Sequence, residues 1–415
     1  MADSSTQGGL FSRDYLLLLQ GQVVSQVGDA FYMLAIFWYV YHQTGSPLAT
    51  GTVMTFAVLP YVFLGPWAGK RIDRWNKRNI LVVADLVRGL IVLGVTVLAW
   101  QGRLQLWQIY TAVALASTCT VFFNPAVTAS VPRLVAGEHL IRANSLGEVA
   151  RNLAAVASPM VGGVVIAALG VHWAFLINAV SYLLSAASEM FISGRALAPT
   201  RAQRRNTQGV RQTLEVLRAN RPLFRLICTS LIVNFFGMAV VLLPIFAVGR
   251  LGGSSLDLGL VTSCYAAGAL LAIAGLAAWG PYLNKGRLIP LVLLFFGLGF
   301  LVLGAHLDLV TAMVVMVGLG LAATVSRMCY ITIMQQNIER DIHGRAFGII
   351  LAADTGLQPA TYLVTGALVE LIGLGHTLII FGCFVLAGAV YLLRLPGLYD
   401  LSPPAPRTGP EGRRR

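Results

Sequence analysis

Twelve long apolar segments constrain this chain of 415 residues more than any other feature of its sequence. A helix needs about 20 apolar residues to cross the hydrocarbon core of a bilayer. Charged residues make up only 11% of the chain, whereas a soluble domain carries roughly 25%. Hydropathy places the segments at 14–42, 48–68, 79–101, 105–131, 143–169, 172–194, 222–249, 256–280, 287–305, 308–334, 345–371 and 374–395. We therefore expect an all-α membrane protein with twelve transmembrane helices.

Basic residues are concentrated in every second loop between these segments. The chain has 30 Lys and Arg against 17 Asp and Glu, and Arg103 and Arg250 are the only basic residues in the opposite set of loops. Because cytoplasmic loops carry the excess of Lys and Arg, we expect both termini in the cytoplasm and a multi-pass protein of the cell membrane. A nucleic-acid partner is not expected, because the basic residues do not cluster on a polar domain.

The basic segment at 195–221 divides the chain into two similar halves. Within it, 209–218 has apolar residues at helical spacing, which predicts a short amphipathic helix on the inner membrane surface. The predicted domains are a six-helix half at 1–194, this linker, a second six-helix half at 222–395 and a disordered cytoplasmic tail at 396–415. Two pseudo-symmetric halves are typical of secondary transporters that work by alternating access.

The loop after the second segment carries a motif. It reads Gly69-Lys-Arg-Ile-Asp73-Arg74-Trp-Asn-Lys77-Arg78, and it resembles the signature loop of the major facilitator superfamily. The glycine allows a tight turn, the aspartate suits a helix N-terminus, and the basic residues form charge-assisted bonds between helix ends. The alternative interpretation is an ordinary basic loop. In the second half, Asn284 stands where the motif has its acid.

A second motif lies in the fifth segment. Antiporters of the superfamily have G-x-x-x-G-P-x-x-G-G there, and the corresponding residues of this chain are Ala154, Ser158, Pro159, Gly162 and Gly163. The two replacements are small, so close helix packing is preserved. The resemblance implies an antiporter, and the alternative is that these residues only pack helices together.

Further motifs resemble the drug-efflux branch of the superfamily, which includes macrolide exporters. They are Gly28-Asp29, Phe122-Phe-Asn-Pro-Ala126 and Gly344-Arg345. The resemblance implies a major facilitator fold and a monomeric, proton-coupled efflux antiporter for amphipathic small molecules, which uses the proton gradient and no cofactor. Na⁺ as the coupling ion, an uptake or facilitative carrier, a siderophore or metabolite exporter, and a receptor or scaffold without transport stay open as alternatives.

Ionisable residues within the segments are functional candidates, because each costs about 2.5–3.5 kcal/mol at mid-membrane. Asp29 lies in the middle of the first segment, and Gln22, Gln26 and Tyr32 share its helical face. We expect this face to line a water-filled cavity and Asp29 to bind a proton or the substrate. The alternative is a carboxylate that only packs against another helix. Glu189, at the end of the sixth segment, is expected at the membrane interface.

The second half has one carboxylate deep in a segment. Asp354 has Gln358 on its helical face, and Arg327 in the tenth segment is its expected partner. Asn124 and Asn234 lie in segments that line the central cavity of the superfamily. The resemblance therefore makes them candidates for contact with a small-molecule substrate.

Two oppositely charged pairs have a spacing of three residues. Asp85 with Arg88 and Glu148 with Arg151 each lie on one face of a helix. Together with the loop motif and Arg345, we interpret them as a cytoplasmic gate. The alternative is pairing within one helix, with side chains that extend to the interface.

The sequence lacks common motifs of enzymes and metal sites. The chain lacks a Walker A loop, HExxH and GxSxG. Its five cysteines are scattered without ligand spacing. We therefore do not expect an enzyme or a metalloprotein.

Overall fold

The structure consists mainly of long α-helices. In this computed structural model the described residues are 12–72, 74–136, 139–194, 197, 210–279, 283–306, 308–338 and 343–401. The first six helices are α1 (Arg13–Thr44), α2 (Pro47–Ile72), α3 (Lys77–Trp100), α4 (Leu106–Leu134), α5 (Leu140–Leu169) and α6 (Val171–Met190). The others are α7 (Val210–Ala219), α8 (Arg221–Gly237), α9 (Leu243–Arg250), α10 (Ser255–Trp279), α11 (Lys285–Ala305), α12 (Leu309–Asn337), α13 (His343–Ile372) and α14 (Leu374–Leu393).

Within the described residues, ten helices are long and apolar enough to cross a membrane. They are α1 to α6, α10, α11, α12 and α14. The other two predicted segments correspond to α13 and to α8 together with α9, and α7 lies where the sequence predicts the linker helix. All twelve predicted segments are helical, with ends that differ from the prediction by at most four residues. The predicted twelve-helix membrane fold is confirmed.

The seventh predicted segment is interrupted, whereas the sequence predicted one continuous helix. α8 ends at Gly237, a 3-10 turn covers Met238–Val241, and α9 begins at Leu243. Pro244 has no N–H to donate, and its ring clashes with a helical carbonyl four residues earlier. The helix therefore breaks before it. Interrupted helices are typical of the binding sites of secondary transporters.

Contacts between helices divide the chain into two compact units. The first unit is Met1–Arg205 with Val248–Ser263, and the second unit is Asn206–Ala247 with Cys264–Arg415. In the first unit, α6 packs along α1 and α3. In the second unit, α14 packs along α8 and α11. The two units thus use their last long helix in the same way.

Equivalent asparagines start α3 and α11. The side-chain oxygen of Asn76 accepts a backbone N–H of the first turn of α3, and its NH₂ group donates to the carbonyl of Gly194 at 3.0 Å. Asn284 does the same for α11, and its NH₂ group donates to the carbonyl of Tyr399 at 3.0 Å. Asn284 is therefore the equivalent of Asn76. The sequence comparison that aligned it with Asp73 was wrong, because Asn284 directly precedes its helix, as Asn76 does, whereas Asp73 is four residues before the first residue of α3.

The beginning of the predicted tail is ordered. Tyr399–Leu401 forms a 3-10 turn, and Asn337 of α12 donates to the carbonyl of Leu401 at 2.8 Å. The prediction of disorder from residue 396 was wrong for 396–401, because these residues bond to the ends of α11 and α12. Residues 402–415 lie outside the described part of the chain.

Candidate functional site

A polar stripe runs along α6 on the side that faces α1 and α3. Its members recur at spacings of three and four residues, which places them on one face of the helix. They are Asn178, Ser181, Tyr182, Ser185 and Glu189, and all five are buried. Reasoning from single ionisable residues misses this stripe, although its helical spacing is visible in the sequence.

α1 approaches the stripe so closely that two of its positions have no room for a side chain. A Cβ atom on Gly28 would overlap Ser181 and Asn178, and one on Gly21 would lie 2.8 Å from the Oγ atom of Ser185. Glycine at these positions lets the polar groups of α6 reach the backbone of α1. The close approach also brings the residue after Gly28 to the stripe.

That residue is Asp29, and Tyr182 binds it. The Tyr182 hydroxyl donates a hydrogen bond to Oδ1 of the partly buried Asp29 side chain. Tyr32 lies nearby and is 4% exposed, with its ring edge-on to Phe175 at 5.6 Å between centroids. The structure thus brings Asp29 and Tyr32 together, as predicted, but against α6.

The two glutamines predicted to share the face of Asp29 lie elsewhere. Gln22 and Gln26 line a small cavity of about 50 Å³ between α1, α4 and α5, together with Asn144 and Arg151. The amide nitrogen of Gln22 is buried and has no hydrogen-bond partner among the described residues. These glutamines therefore belong to a separate polar pocket.

Arg88 is at the centre of the buried charges. Its guanidinium pairs with Asp85 one turn earlier, and both side chains are at most 2% exposed. The rings of Phe123 and Tyr182 lie 4.2 Å and 4.4 Å from the central carbon of the guanidinium, on α4 and α6. Arg88 also acts electrostatically on Asp29. This pair therefore belongs to the site around Asp29, whereas the sequence assigned it to a gate.

Glu189 is buried, and the prediction of an interfacial position was wrong. Its side chain is 0% exposed, and neither carboxylate oxygen has a hydrogen-bond partner among the described residues. The end of α6, directly after Glu189, is held in place because the Arg78 side chain donates a hydrogen bond to the carbonyl of Met190. Asp85 and Arg88 are close enough to Glu189 to act on its charge.

The loop motif contributes this contact and the two bonds of Asn76 described above. Arg78 joins the start of α3 to the end of α6, as the sequence analysis expected of its basic residues. Lys77 is buried, whereas Arg74 is exposed and borders an apolar groove of about 510 Å³ along α3 and α4. Gly69 lies in the last turn of α2, and Asp73 lies outside the described residues.

The second charged pair lies on the surface of α5. Glu148 and Arg151 form an ion pair at 2.6 Å, with 63% and 46% of their side chains exposed. Exposed pairs contribute about 0–1 kcal/mol to stability, so the pairing is a local feature of the helix. Arg345 lies in the first turn of α13, and its side chain is outside what the structure describes.

The small residues of the fifth segment are used for close packing. A Cβ atom on Gly162 would lie 3.2 Å from the ring of Phe31 on α1. The carbonyl of Gly163 accepts a hydrogen bond from Ser255 at 3.2 Å. Ala154, Ser158 and Pro159 are buried as well. This packing role fits the alternative interpretation, and the motif alone does not give a transport direction.

The second unit has a polar cavity of about 250 Å³ beside the break between α8 and α9. Asn234, Arg327 and Asp354 line it, and the Asn234 side chain donates to Oδ1 of Asp354 at 3.1 Å. Among the described residues Arg327 forms no ion pair with Asp354, contrary to the expectation, because Asn234 holds that carboxylate. Gln358 and Asn124 do not line this cavity.

The seam of the second unit that corresponds to the α6 stripe is apolar. Equivalent positions follow from counting from the asparagine caps of α3 and α11 and from the glycines that precede α6 and α14. Asp85, Arg88, Tyr182 and Glu189 correspond in this order to Leu293, Phe296, Val385 and Leu392, and all eight are buried. The second unit therefore forms the equivalent seam without charges at these four positions.

Comparison with known families identifies the fold. The sequence profile described as Major Facilitator Superfamily matches residues 18–356. The chain belongs to the major facilitator superfamily. Macrolide efflux protein A of Streptococcus pyogenes is 22% identical over 376 residues, which cover 89% of this chain and 93% of that protein. Multidrug efflux pump Tap of Mycobacterium tuberculosis (strain ATCC 25618 / H37Rv) is 26% identical over 409 residues, which cover 95% and 97%. The predicted resemblance to the drug-efflux branch is confirmed.

Solved structures of facilitators share the fold. A bacterial homologue of the iron transporter ferroportin, in its inward-facing state, has a TM-score of 0.77 and 16% identity, and the match covers 92% of this chain and 98% of that chain. A D-xylose–proton symporter has a TM-score of 0.68 and 14% identity, with coverage of 94% and 99%. At these identities the likeness concerns the fold alone. The family match shows that this facilitator is a multi-pass membrane transporter, and its substrate must be inferred separately.

Proposed function

We propose that this facilitator exports amphipathic small molecules, macrolides among them, in exchange for protons. The observation that carries the proposal is the buried cluster of Asp29, Asp85, Arg88 and Glu189, which the apolar seam of the second unit shows to be unnecessary for folding. Intramembrane carboxylates of this kind serve as proton relays in transporters. The names of two relatives, a macrolide efflux protein and a multidrug efflux pump, support the direction and the substrate class.

The orientation in the membrane follows from the basic loops. We propose that α1 and α3 begin, and α6 ends, on the cytoplasmic side, because Lys77, Arg78 and most other basic residues of the loops lie there. Both termini are then cytoplasmic. Glu189 lies near the cytoplasmic side, and Asp29 lies near the middle of the membrane, at the centre of α1.

The cavity around Asn234 and Asp354 is proposed to contact the substrate. It combines the Arg327 guanidinium with the aromatic rings of Tyr265 and Tyr330. Pockets for drug-sized ligands measure about 300–1,000 Å³. The cavity of about 250 Å³ in the second unit is therefore expected to hold only part of such a ligand.

Erythromycin accumulation in a susceptible bacterial host tests the proposal. Cells that produce the wild-type protein are expected to accumulate less labelled erythromycin than cells without it, and an uncoupler that collapses the proton gradient is expected to abolish the difference. Asp29→Asn should abolish it as well, because the amide has nearly the shape of the carboxyl group but does not bind the proton.

Asp308→Asn is the matched control. Asp308 is an exposed cap of α12, and the hydroxyl and backbone N–H of Thr311 lower its pKa. It therefore carries no proton near neutral pH, and asparagine caps a helix as well as aspartate does. An equal loss of export in both variants, or wild-type export that persists in Asp29→Asn, would contradict proton coupling through Asp29. Export that withstands the uncoupler would favour Na⁺ as the coupling ion.

A further inference from the structure

Among the residues that the structure describes in the first unit, the buried carboxylates outnumber the buried cations. Asp85 and Glu189 are 0% exposed, and Asp29 is partly buried beside them. Against these three carboxyl groups stand Arg88 and, in the first turn of α3, Lys77, each 2% exposed. A buried charge without a partner is far more costly than a neutral group. With all five groups inside the first unit, at least one of the three carboxyl groups must hold a proton for the cluster to be neutral.

Of the three carboxyl groups, Glu189 is the one that neighbouring groups stabilise least in its charged form. Arg88 makes its ion pair with Asp85, and Tyr182 donates to Asp29. Glu189 receives no hydrogen bond among the described residues on either oxygen. The charged groups that act on Glu189 include a like charge, Asp85, which adds to the cost of ionising it.

The charged and titratable groups of the surrounding helices do not remove this imbalance. On α1 the charged side chains are the exposed Arg13, Asp14, which accepts a hydrogen bond from the backbone of Ser193, and Asp29. Tyr15 and Tyr32 lie on α1 as well, and His42 lies in its last turn. On α3 the charged side chains are Lys77, Arg78, Asp85 and Arg88. On α6 itself the other titratable side chains are Tyr182 and, in the first turn, His172. Arg78 is directed to the carbonyl of Met190. The helix α5 is joined to α6 by the turn at Gly170, at the opposite end of α6 from Glu189.

Glu189 and Asp29 are linked by the polar stripe of α6. Tyr182 binds Asp29, and Glu189 lies seven residues after Tyr182 on the same face, which is about 10 Å along the helix axis. The Ser185 side chain lies between them, beside Asp85. The stripe therefore joins the middle of the membrane to the end of the first unit that carries Lys77 and Arg78.

From this geometry, and building on the proposed proton coupling, we infer that Glu189 is a second proton-binding site, placed between Asp29 and the cytoplasm. When a proton leaves the oxygen of Asp29 on this side, an oxygen of Glu189 accepts it, so the cluster keeps its charge and no other bond changes. Glu189 then releases the proton towards the end of the first unit that carries Lys77 and Arg78. The apolar Leu392 at the equivalent position of the second unit indicates that the site exists in the first unit alone.

Infrared difference spectroscopy of the purified protein in lipid nanodiscs tests the site without any substrate. The C=O stretching band of a protonated carboxyl group is followed as the pH is raised, in the wild type, in Glu189→Gln and in Glu370→Gln, whose carboxylate is exposed on α13. We expect a band that disappears with rising pH in the wild type and in Glu370→Gln and that is missing from Glu189→Gln. Wild-type and Glu189→Gln spectra that coincide would overturn the inference.

Transport provides the second readout. Labelled erythromycin uptake into acid-loaded proteoliposomes is compared with exchange of erythromycin at equal pH, each corrected for protein-free liposomes. A pH difference of one unit drives at most about a tenfold concentration ratio per coupled proton. We expect the pH difference to raise erythromycin uptake by the wild type up to about tenfold and to leave uptake by Glu189→Gln unchanged. The rate of erythromycin exchange at equal pH should differ by no more than about twofold between Glu189→Gln and the wild type. Full stimulation of Glu189→Gln by the gradient would contradict the role.

Glu189→Asp separates a lost proton site from a damaged fold. It keeps a carboxyl group at the same buried position. The infrared band and part of the stimulation of erythromycin uptake by the pH difference should therefore return. If they do not return in a stable Glu189→Asp protein, the site is overturned. If the wild type moves no erythromycin at all, the proposed macrolide substrate fails, while the infrared result still decides the protonation of Glu189.

Discussion

Replacing Arg88 by Phe is expected to destabilise the first unit strongly. Arg88 is the cation that pairs with Asp85, and the other oxygen of Asp85 has no hydrogen-bond partner among the described residues. Without Arg88, an aspartate that is 0% exposed is left in the helix seam. Breaking a buried ion pair by removing one partner typically costs about 3–5 kcal/mol. The new ring packs between Phe123 and Tyr182, so the loss of packing itself is small.

The double variant Asp85→Leu with Arg88→Phe recovers that stability. It copies the equivalent positions of the second unit, Leu293 and Phe296, which are buried in an apolar seam. Replacing a buried ion pair by well-packed apolar side chains is often neutral or stabilising. We therefore expect the free energy of unfolding of the double variant to lie within about 1 kcal/mol of the wild type.

Unfolding in mixed micelles, followed by tryptophan fluorescence, measures both variants, and proteoliposome transport measures their function. The double variant should be stable and yet show no stimulation by a pH gradient, because the charges that hold Asp29 and Glu189 in one cluster are gone. A single variant that loses less than about 1 kcal/mol would show that Asp85 is not held by Arg88 as described. A stable double variant with normal proton coupling would refute the hypothesis that the buried charges couple transport to protons.

Four further substitutions test the site and the helix caps separately. Tyr182→Phe removes the hydrogen bond to Asp29, which is worth about 1.5–3 kcal/mol when the acceptor is charged. Both the thermal midpoint and erythromycin uptake driven by a pH gradient should fall, and an unchanged midpoint together with unchanged uptake would contradict the bond. Gly28→Ala introduces a Cβ atom that overlaps Ser181, so α1 must move from α6; a thermal midpoint equal to that of the wild type would show that the helices are less close. Asn76→Ala removes a helix cap and a bond to the end of α6, at a cost of about 1 kcal/mol in unfolding experiments, and Asn284→Ala should cost the same if the two caps are equivalent.

The membrane fold was predictable because it depends on segment length and hydropathy. Ends within four residues of the prediction reflect the sharp boundary between apolar runs and basic loops. The break before Pro244 was missed, because the apolar run continues across it and hydropathy does not register a missing N–H. The ordered turn at Tyr399–Leu401 was missed because its bonds are to Asn284 and Asn337, more than 60 residues away.

The candidate site was predictable in its members and less so in its arrangement. Asp29 and Asp85 stood out because charges are rare in apolar helices. Their grouping around Arg88 depends on which face of α3 meets α6, and spacing along one helix does not contain that information. Glu189 was assigned to the interface because it ends its segment, whereas the Arg78 contact to Met190 covers that end.

Proton movement in response to erythromycin tests the central claim most directly. Proteoliposomes that enclose a pH-sensitive dye receive erythromycin on the outside, and internal pH is recorded beside protein-free liposomes and liposomes with Asp29→Asn. Proton antiport predicts that erythromycin entry drives protons out, so internal pH rises faster with the wild type than in either control. Erythromycin entry with an internal pH trace equal to that of the Asp29→Asn liposomes, or with a fall in internal pH, would contradict it.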